Sequence, residues 1–588
     1  MTEEARIPDI YGPGTHTDRT FTPVPEDAAR ILGLLASQTP VFFTSTNNLS
    51  KAHFTGESYP VLPGAIKAIP VAAALHAMLG LVADEILSLR SSSLSPSDRQ
   101  IEINTTHAAL WLATAGLVYL DGESLPSLRG KLAPGTIPDW ERGWHSTPLK
   151  LRGTGIYPTR VKGEWYSLHG SLDVPPMLRS LGIDPDDQDI KTNDEAARHI
   201  EGFTRRYSSA ELEMHMLYHG FCGSICFTPQ GWRESSMGRA LGSRPLVDVR
   251  MVRDGMTENT PAVPFTSFSG EDRRPLVGVR VVEMTRVIAG PQIGVLLAAL
   301  GADVVRVHAP HLPDVNTMQL TLNAGKRTVG LDLRVGADRE YLMGLVEQAD
   351  VFIQGFRPGV LARSHGLGVE DLVEIAARRG KGIVYVSESC YGPEGYYAQR
   401  PGWQQIADCA SGAAYVTGRA LGLPDGECVL PPLPISDMST GMVGAVGTLL
   451  ALRDRAVKGG SYEVHASLVK VNMFMLSEEV GLYPTQVVEE GRKRFGWGEM
   501  RGAHHVLDLL RVVWTGWTGT EPIKRYLAED GGWFQSWEKS AFGGKKLSIL
   551  KPVVRFERDG EEEEQTTPRW TSASVPYALW KKEDVAFA

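Results

Sequence analysis

The sequence predicts an α/β protein whose large domain is built on a doubly wound parallel sheet, with an additional, smaller α+β domain. Beyond residue 275, runs of β-branched residues alternate with helical patterns, which is typical of consecutive βαβ units. The length of 588 residues is several times that of a typical domain, so we expect more than one folding unit. Hydrophobic residues make up 42% of the chain and charged residues 22%, as in ordinary globular proteins.

The first βαβ unit is predicted over residues 277–307. A buried strand is expected at 277–284, a helix at 292–300 that ends at Gly301, and a second strand at 303–307. A strand, a helix and a strand in this order give parallel pairing with a right-handed crossover.

The alternation then continues to residue 389. The predicted elements are a strand at 328–333, a helix at 339–348, a strand at 351–356, a helix at 369–378 and a strand at 382–389. Ligands of such sheets bind outside the carboxyl ends of the strands. Those ends are the turns at 286–291, 308–313, 355–359 and 389–395.

One carboxylate opens an apolar helix at 436–451, just after a Pro-rich turn. This residue is Asp437, and the helix that it opens is rich in Gly and other small residues, which permit close approach of a ligand. An isolated carboxylate in such a place can attack an acyl group as a nucleophile. The alternative is a helix N-cap, a position that favours Asp. Asp425, in a Gly-containing turn, is the second candidate.

Composition argues against several other classes of protein. The net charge of −9 is mild and no basic run suggests nucleic acid. Five scattered cysteines give no disulfide framework. The most apolar windows, 65–82 and 442–452, are interrupted or too short to span a bilayer. We therefore expect a cytoplasmic protein without a membrane partner.

Six segments, in order, resemble the CaiB/BaiF-like family III CoA-transferases, which include formyl-CoA and carnitine-CoA transferases and α-methylacyl-CoA racemases. They are GVRVVEMTRVIAGP, LAALGADVVRV, LNAGKRTVGLDL, ADVFIQGFRPGVLARSHGL, SGAAYVTG and DMSTGMVGAVGTLLALRDR. The resemblance covers about residues 275–475 and implies a Rossmann-like domain with the family's architecture.

The resemblance also implies an activity and its residues. A CoA-transferase of this family moves CoA from an acyl-CoA to a carboxylic acid through a covalent aspartyl intermediate, and the motif places that aspartate at Asp437. No metal or permanently bound cofactor is implied, since CoA and acyl-CoA are substrates. The positions that match CoA contacts of the family are Val287, Ile288, Leu331, Gly355, Phe356, Val360 and Arg363.

The remaining segments resemble the distal half of the family in an unexpected order, which suggests a fungal-type tandem fusion. An apolar helix, a strand and another helix recur at 79–113 and 446–474, and the first copy lacks an acidic residue at 64–74. We divide the chain into a polar leader (1–26), a partial first copy without a Rossmann-like part (27–252), a linker (253–274), the catalytic half (275–480) and a C-terminal region (481–588). We expect the catalytic half to pair with another copy of the fold. That copy is either a second chain, in a homodimer, or the first half of the same chain, in an intrachain pseudo-dimer.

Departures from the family pattern leave two alternatives open. Where racemases carry His and Asp, this chain has Trp403 and Gln404, neither of which is a base near neutral pH. The alternatives are a CoA-thioester isomerase, racemase or lyase on the same scaffold and a non-catalytic acyl-CoA-binding protein.

Overall fold

In a computed structural model of the chain, the described residues form five β-sheets and the helices that connect their strands. The structure describes residues 6–42, 49–90, 99–128, 135–137, 140–141, 143, 145–252, 260–558, 561–562, 564–575, 585 and 587.

Within these residues the strands β1 to β20 are, in chain order, Arg6–Pro8, His16–Asp18, Ala52–Thr55, Arg99–Asn104, Val118–Leu120, Glu123–Ser124, Gly155–Pro158, Trp165–His169, Cys222–Ile225, Asp248–Met251, Arg280–Met284, Asp303–His308, Arg327–Gly330, Val351–Gln354, Val384–Ser389, Tyr462–Ser467, Phe534–Trp537, Leu547–Leu550, Arg555–Arg558 and Glu561–Glu562.

The helices α1 to α22 of the same residues are Val24–Ser37, Ala68–Arg90, Thr105–Trp111, Leu125–Leu128, Pro148–Arg152, Pro175–Ser180, Asn193–Thr204, Ser209–His219, Pro229–Glu234, Ser236–Gly242, Ala289–Ala299, Gln319–Leu322, Gly336–Val346, Val360–His365, Val369–Arg378, Gln404–Ser411, Ala413–Ala420, Ile435–Lys458, Leu468–Met475, Thr485–Phe495, Val506–Gly519 and Ile523–Leu527.

The largest sheet confirms the predicted α/β fold. Its strand order is β10-β16-β15-β14-β11-β12-β13, and the neighbours from β11 to β16 pair in parallel. Counted from β11, the parallel strands therefore follow the doubly wound order 3-2-1-4-5-6. The order reverses between β11 and β14, and ligands of such sheets bind at the carboxyl ends of these two strands.

Strands from both ends of the chain join the same sheets. The antiparallel edge strand β10 pairs with β16 of the large sheet. In two smaller sheets, β18 pairs with β5 and β19 pairs with β4. The first and last quarters of the chain are thus interleaved, and the linear division into domains stays a prediction.

Two long apolar helices, α2 and α18, pack against each other in the main hydrophobic core. Both are long and apolar enough, by length and composition alone, to cross a membrane, contrary to our expectation from the two shorter windows. The apolar windows of α2 and α18 are 89% and 100% buried inside the protein, and a core helix passes the same test. A glycine on α18 also permits close packing against α11, because a Cβ at Gly441 would lie 2.5 Å from Gln292 Cβ of that helix.

The same helix–strand–helix unit occurs twice. The unit α2–β4–α3 lies in the first part of the chain and α18–β16–α19 in the second. Strand β4 has a parallel neighbour, β3, and an antiparallel one, β19; strand β16 likewise has β15 and β10. A Cβ at Gly80 would lie 2.8 Å from Ile101 of β4, and one at Gly447 would lie 2.6 Å from Val464 of β16. The two units therefore share their local packing as well as their pairing.

Candidate active site

Asp437 lies in the first turn of α18, and it is not the N-cap of that helix. The cap is Pro434, which provides no side-chain hydrogen bond, so the N-cap reading of Asp437 is wrong. The Asp437 residue is only 8% exposed, and its carboxylate accepts no hydrogen bond from any described residue. The positive end of the helix favours the carboxylate form at this place.

The Asp437 side chain lines a cavity of about 380 Å³. The Pro-rich turn at 431–434 and the start of α16, including Trp403 and Gln404, form part of the wall. The turn between β11 and α11 adds Val287 and Ile288, so two of the predicted CoA contacts lie at the same cavity as Asp437. This turn belongs to the switch point of the sheet.

Val287 has a backbone conformation that valine rarely adopts. Its φ is +67°, in the left-handed region, where a β-branched side chain is sterically strained. Such strain costs about 1–3 kcal/mol and is concentrated at functional sites, where surrounding structure enforces it. Here α11 begins at Ala289, immediately after Ile288, so the turn is held between a central strand and a buried helix.

An ion-paired cluster beneath this turn fixes its position. The Lys326 ammonium lies 2.6 Å from the Glu283 carboxylate and also donates to the Pro291 carbonyl of α11. The Thr285 hydroxyl donates to the same carboxylate at 2.7 Å. Burial lowers the pKa of Lys326 to about 8. The cluster ties the carboxyl end of β11 to the start of α11.

The other predicted CoA contacts are dispersed. Gly355 and Phe356 follow β14 at the switch point, and a Cβ at Gly355 would lie 3.1 Å from Glu388. Val360 and Arg363 lie on α14, with Arg363 exposed. Leu331 is buried in an apolar cluster after β13. None of these five lines the cavity of Asp437 as formed by the described residues, and their role in CoA binding stays a prediction.

Two further acids, Glu388 and Asp408, act electrostatically on Asp437. Burial raises the pKa of Asp437 well above its usual range, and the charges of Glu388 and Asp408 raise it further. Burial alone raises the pKa of Glu388, at the end of β15, to about 8. The three carboxyl groups therefore share a region in which they cannot all ionise at neutral pH.

Asp408 is held by hydrogen bonds from three sides. Ser436 and Asn472 donate to one carboxylate oxygen at 3.0 and 2.8 Å, and Gln404 donates to the other at 2.5 Å. Burial raises the pKa of Asp408 to about 7, and these three hydrogen bonds offset part of that rise. Because Ser436 precedes Asp437, this network fixes the first turn of α18.

The structure also brings histidines to the cavity that the sequence analysis did not identify. His169, at the end of β8, stacks on Trp403 with ring centroids 5.8 Å apart and planes 9° apart. Its Nδ1 accepts from the Ser171 amide, so the ring N–H at Nε2 donates to Gln405 at 3.1 Å. Burial lowers the pKa of His169 to about 4, which keeps the ring neutral. No local pattern marks this residue, since β8 is more than 200 positions from Trp403.

Comparisons with known proteins agree with the architecture. Residues 276–511 match the family described as CoA-transferase family III. A protein named acyl-CoA transferase, from Gibberella moniliformis, is 43% identical over 572 residues, which is 97% of each chain. The chain belongs to CoA-transferase family III. The general activity of this family III protein is therefore CoA transfer, with CoA as a substrate.

Two other similarities are more distant. The protein named acetyl-coenzyme A transferase nodX, from Hypoxylon pulicicidum, is 33% identical over 490 residues, covering 81% of this chain and 79% of that protein. Among solved structures, a CAIB/BAIF family protein from Brucella suis is 28% identical, covers 39% of this chain and 60% of its own, and has a TM-score of 0.32.

Proposed function

We propose that this family III protein moves CoA from an acyl-CoA donor to a carboxylic acid, with Asp437 as the covalent nucleophile. The main observation behind this proposal concerns the Asp437 carboxylate. It is unpaired among the described residues and lines a cavity beside the switch point of the sheet. If this buried carboxylate had only a structural role, we would expect it to be hydrogen-bonded or ion-paired within the protein. An unpaired one is available to an incoming substrate.

The proposed reaction has four steps that balance without metal or redox chemistry. An Asp437 oxygen attacks the thioester carbonyl, the C–S bond breaks, and a mixed anhydride and the CoA thiolate form. The thiolate attacks the Asp437 carbonyl, which releases the donor acid and leaves an aspartyl-CoA thioester. The acceptor carboxylate attacks this thioester and releases the thiolate. The thiolate then attacks the acceptor carbonyl, which yields the new acyl-CoA and free Asp437 carboxylate.

The surroundings of Asp437 suit reactive intermediates. Apolar side chains and three prolines, Pro431, Pro432 and Pro434, line the cavity and limit water near the carboxylate. Exclusion of water protects an anhydride from hydrolysis and strengthens electrostatic interactions with the reacting atoms. The raised pKa of Asp437 requires that its proton be lost before the first step.

Trapping tests the proposal directly. The protein is incubated with an acyl-CoA and hydroxylamine, and a hydroxamate is sought by peptide mass spectrometry. We expect it at Asp437 and a loss of transfer of at least a hundredfold in Asp437→Asn, since removal of a nucleophile abolishes the covalent route. The matched control is Asp425→Asn. Asp425 is an exposed turn residue with φ of +51°, which Asn tolerates, so this variant should keep full activity.

Three outcomes would contradict the proposal. Full transfer activity in Asp437→Asn would show that the carboxylate is not the nucleophile. Deuterium exchange at the acyl α-carbon without an acceptor acid would indicate an isomerase or racemase. Calorimetric binding of CoA without turnover across a panel of acids would indicate an acyl-CoA-binding protein.

A further inference from the structure

The cavity wall outside the large sheet contains a group of apolar side chains, beside polar residues that include Glu141, Thr154 and Ser171. Helix α4 contributes Leu125 and Leu128, the chain after β8 contributes Leu172, and α21 contributes Val506, Leu507 and Leu510. These side chains come from three separate parts of the sequence and converge on one space that also reaches Asp437. Apolar surface of this kind gains free energy only when an apolar ligand covers it.

Positive charge is scarce in the same wall. Among the lining residues that the structure describes, Arg511 is the one Lys or Arg, and it is exposed on α21. His169 and His505 are neutral, because burial lowers their pKa values to about 4 and about 3. The third histidine of the wall, His145, lies 3.5 Å from the Glu141 carboxylate, so it already faces a negative charge of the protein. A free carboxylate on a short dicarboxylic acyl group requires a guanidinium or ammonium partner inside the site. The described wall therefore favours an uncharged group.

Gly116 and Leu510 together form one part of this cavity wall. Behind them, Trp514 and Trp517 of α21 pack so closely that no room for a water molecule is left. A Cβ at Gly116 would lie 2.9 Å from Leu510 Cδ2, so a side chain at position 116 would have to displace Leu510 or project into the cavity. The room available to a ligand in this part of the cavity thus depends on a glycine at position 116.

We infer that the acyl group carried by this site is an uncharged, apolar chain longer than acetyl, held between α4 and α21. This inference rests on the proposed function, because the chain is placed in the cavity by its attachment to Asp437. The apolar wall holds the hydrocarbon, and the carbonyl lies at the carboxylate. Short dicarboxylic acyl groups are excluded by the cost of burying their second charge.

Binding of unreactive thioether analogues tests the inference. Calorimetry compares CoA with S-ethyl-, S-hexyl- and S-decyl-CoA, and S-butyl- with S-(3-carboxypropyl)-CoA. We expect affinity to rise about fourfold per added methylene until the space is filled, as apolar transfer predicts. The terminal carboxylate should weaken binding at least tenfold. Constant affinity along the series, or tighter binding of the carboxypropyl analogue, would overturn the inference.

Variants at the end of the space give a second, independent measurement. Gly116→Leu narrows this part of the cavity and should weaken the binding of S-decyl-CoA at least tenfold, while S-ethyl-CoA binds as before. Leu510→Ala widens the same part of the cavity and should shift the preference towards longer chains. The control is Gly344→Leu on α13, where a Cβ meets no atom within 4 Å, and its binding series should match the wild type.

The proposed nucleophile and the proposed acyl chain can be disproved separately. If the wild-type protein transfers CoA through Asp437 but its analogue series is flat, only the acyl-chain inference is wrong. If hydroxylamine traps nothing and Asp437→Asn retains transfer while long analogues still bind best, the nucleophile assignment is wrong and the apolar site stands.

Discussion

At the scale of single residues, the shared burial of Asp437, Glu388 and Asp408 determines the acid–base behaviour of the site. Neighbouring carboxyl groups that interact strongly lose their protons in joint steps, so a titration belongs to the group and not to one member. The nucleophile must be ionised, whereas its two neighbours disfavour that form. Transfer should therefore rise with pH as the shared proton is lost.

Glu388 offers a direct test of this coupling. In Glu388→Gln one negative charge is gone, which lowers the pKa of Asp437, so the acid limb of the kcat/KM profile should move to lower pH by roughly one unit. The measurement is transfer rate between pH 5 and 9. Glu394→Gln, an exposed acid on the following loop, serves as control and should leave the profile in place. An unchanged limb in Glu388→Gln would show that the two groups do not interact.

Asp408 should give the protein a pH-dependent stability. The folded state retains this proton up to pH of about 7, whereas the unfolded chain loses it near pH 4. Between these values the folded state binds more protons, so the free energy of unfolding falls as pH rises, by up to ~1.4 kcal/mol per pH unit. Asp408→Asn has no proton to lose. Urea unfolding at pH 5, 6, 7 and 8 should show that the free energy of unfolding falls less steeply with pH in Asp408→Asn than in the wild type. Equal slopes in the two proteins would contradict this prediction.

The predictability of these residues depends on how local their signal is. Asp437, Val287 and Ile288 lie within short motifs, so the sequence alone indicated them, and the structure places all three at one cavity. Glu388 and Asp408 carry no such signal, because only the packing of β15, α16 and α18 brings them near Asp437. The same holds for His169, which reaches Trp403 from a different sheet.

At the scale of elements, the contact between α11 and α18 positions the nucleophile relative to the switch point. Gly441 lies one turn after Asp437, and a Cβ there would also lie 2.9 Å from the Ala289 carbonyl. The backbone of α11 cannot yield as a flexible side chain would. The start of α18 is therefore held directly against the start of α11.

This contact predicts opposite effects for two identical substitutions. An alanine usually stabilises a helix interior by about 0.5–1 kcal/mol over glycine. Gly344→Ala on α13, where the Cβ meets open space, should show that gain. Gly441→Ala should instead lose about 1–3 kcal/mol, because the added methyl overpacks the contact. Chemical denaturation measures both, and a stabilised Gly441→Ala would show that the two helices are not in close contact.

The parallel strands were predictable because strands buried on both faces consist of continuous runs of apolar, β-branched residues. Their boundaries shifted by a few residues: the strand expected at 277–284 begins at Arg280, after Gly278 with φ of +83°. The edge strand β10 was not predicted to join this sheet. Its partner β16 lies more than 200 residues later, and no local pattern encodes such a pairing.

At the scale of the whole molecule, the interleaving of both ends of the chain suggests a function for the first half. Segments around α4 and β8 of the first half, together with α21 near the end of the chain, complete the cavity that Asp437 of α18 lines. The wall and the nucleophile are thus supplied by one polypeptide. We propose that the chain is an intrachain pseudo-dimer with a complete site.

Light scattering tests the pseudo-dimer. A protein that completes its site within one chain should remain near 64.2 kDa in solution across the working concentration range, with transfer activity per chain independent of dilution. A mass near twice this value, together with activity lost on dilution, would show that a second chain is needed.

The repeated unit has a consequence for stoichiometry. Asp437 stands ten residues before Gly447, and the residue ten before the equivalent Gly80 is Pro70, which has no carboxylate. The twofold pattern of the backbone is therefore not matched by a twofold pattern of reactive groups. In a pre-steady-state experiment without an acceptor acid, the burst of released donor acid should level off at one equivalent per polypeptide, whereas a chain with a carboxylate in both units would release two.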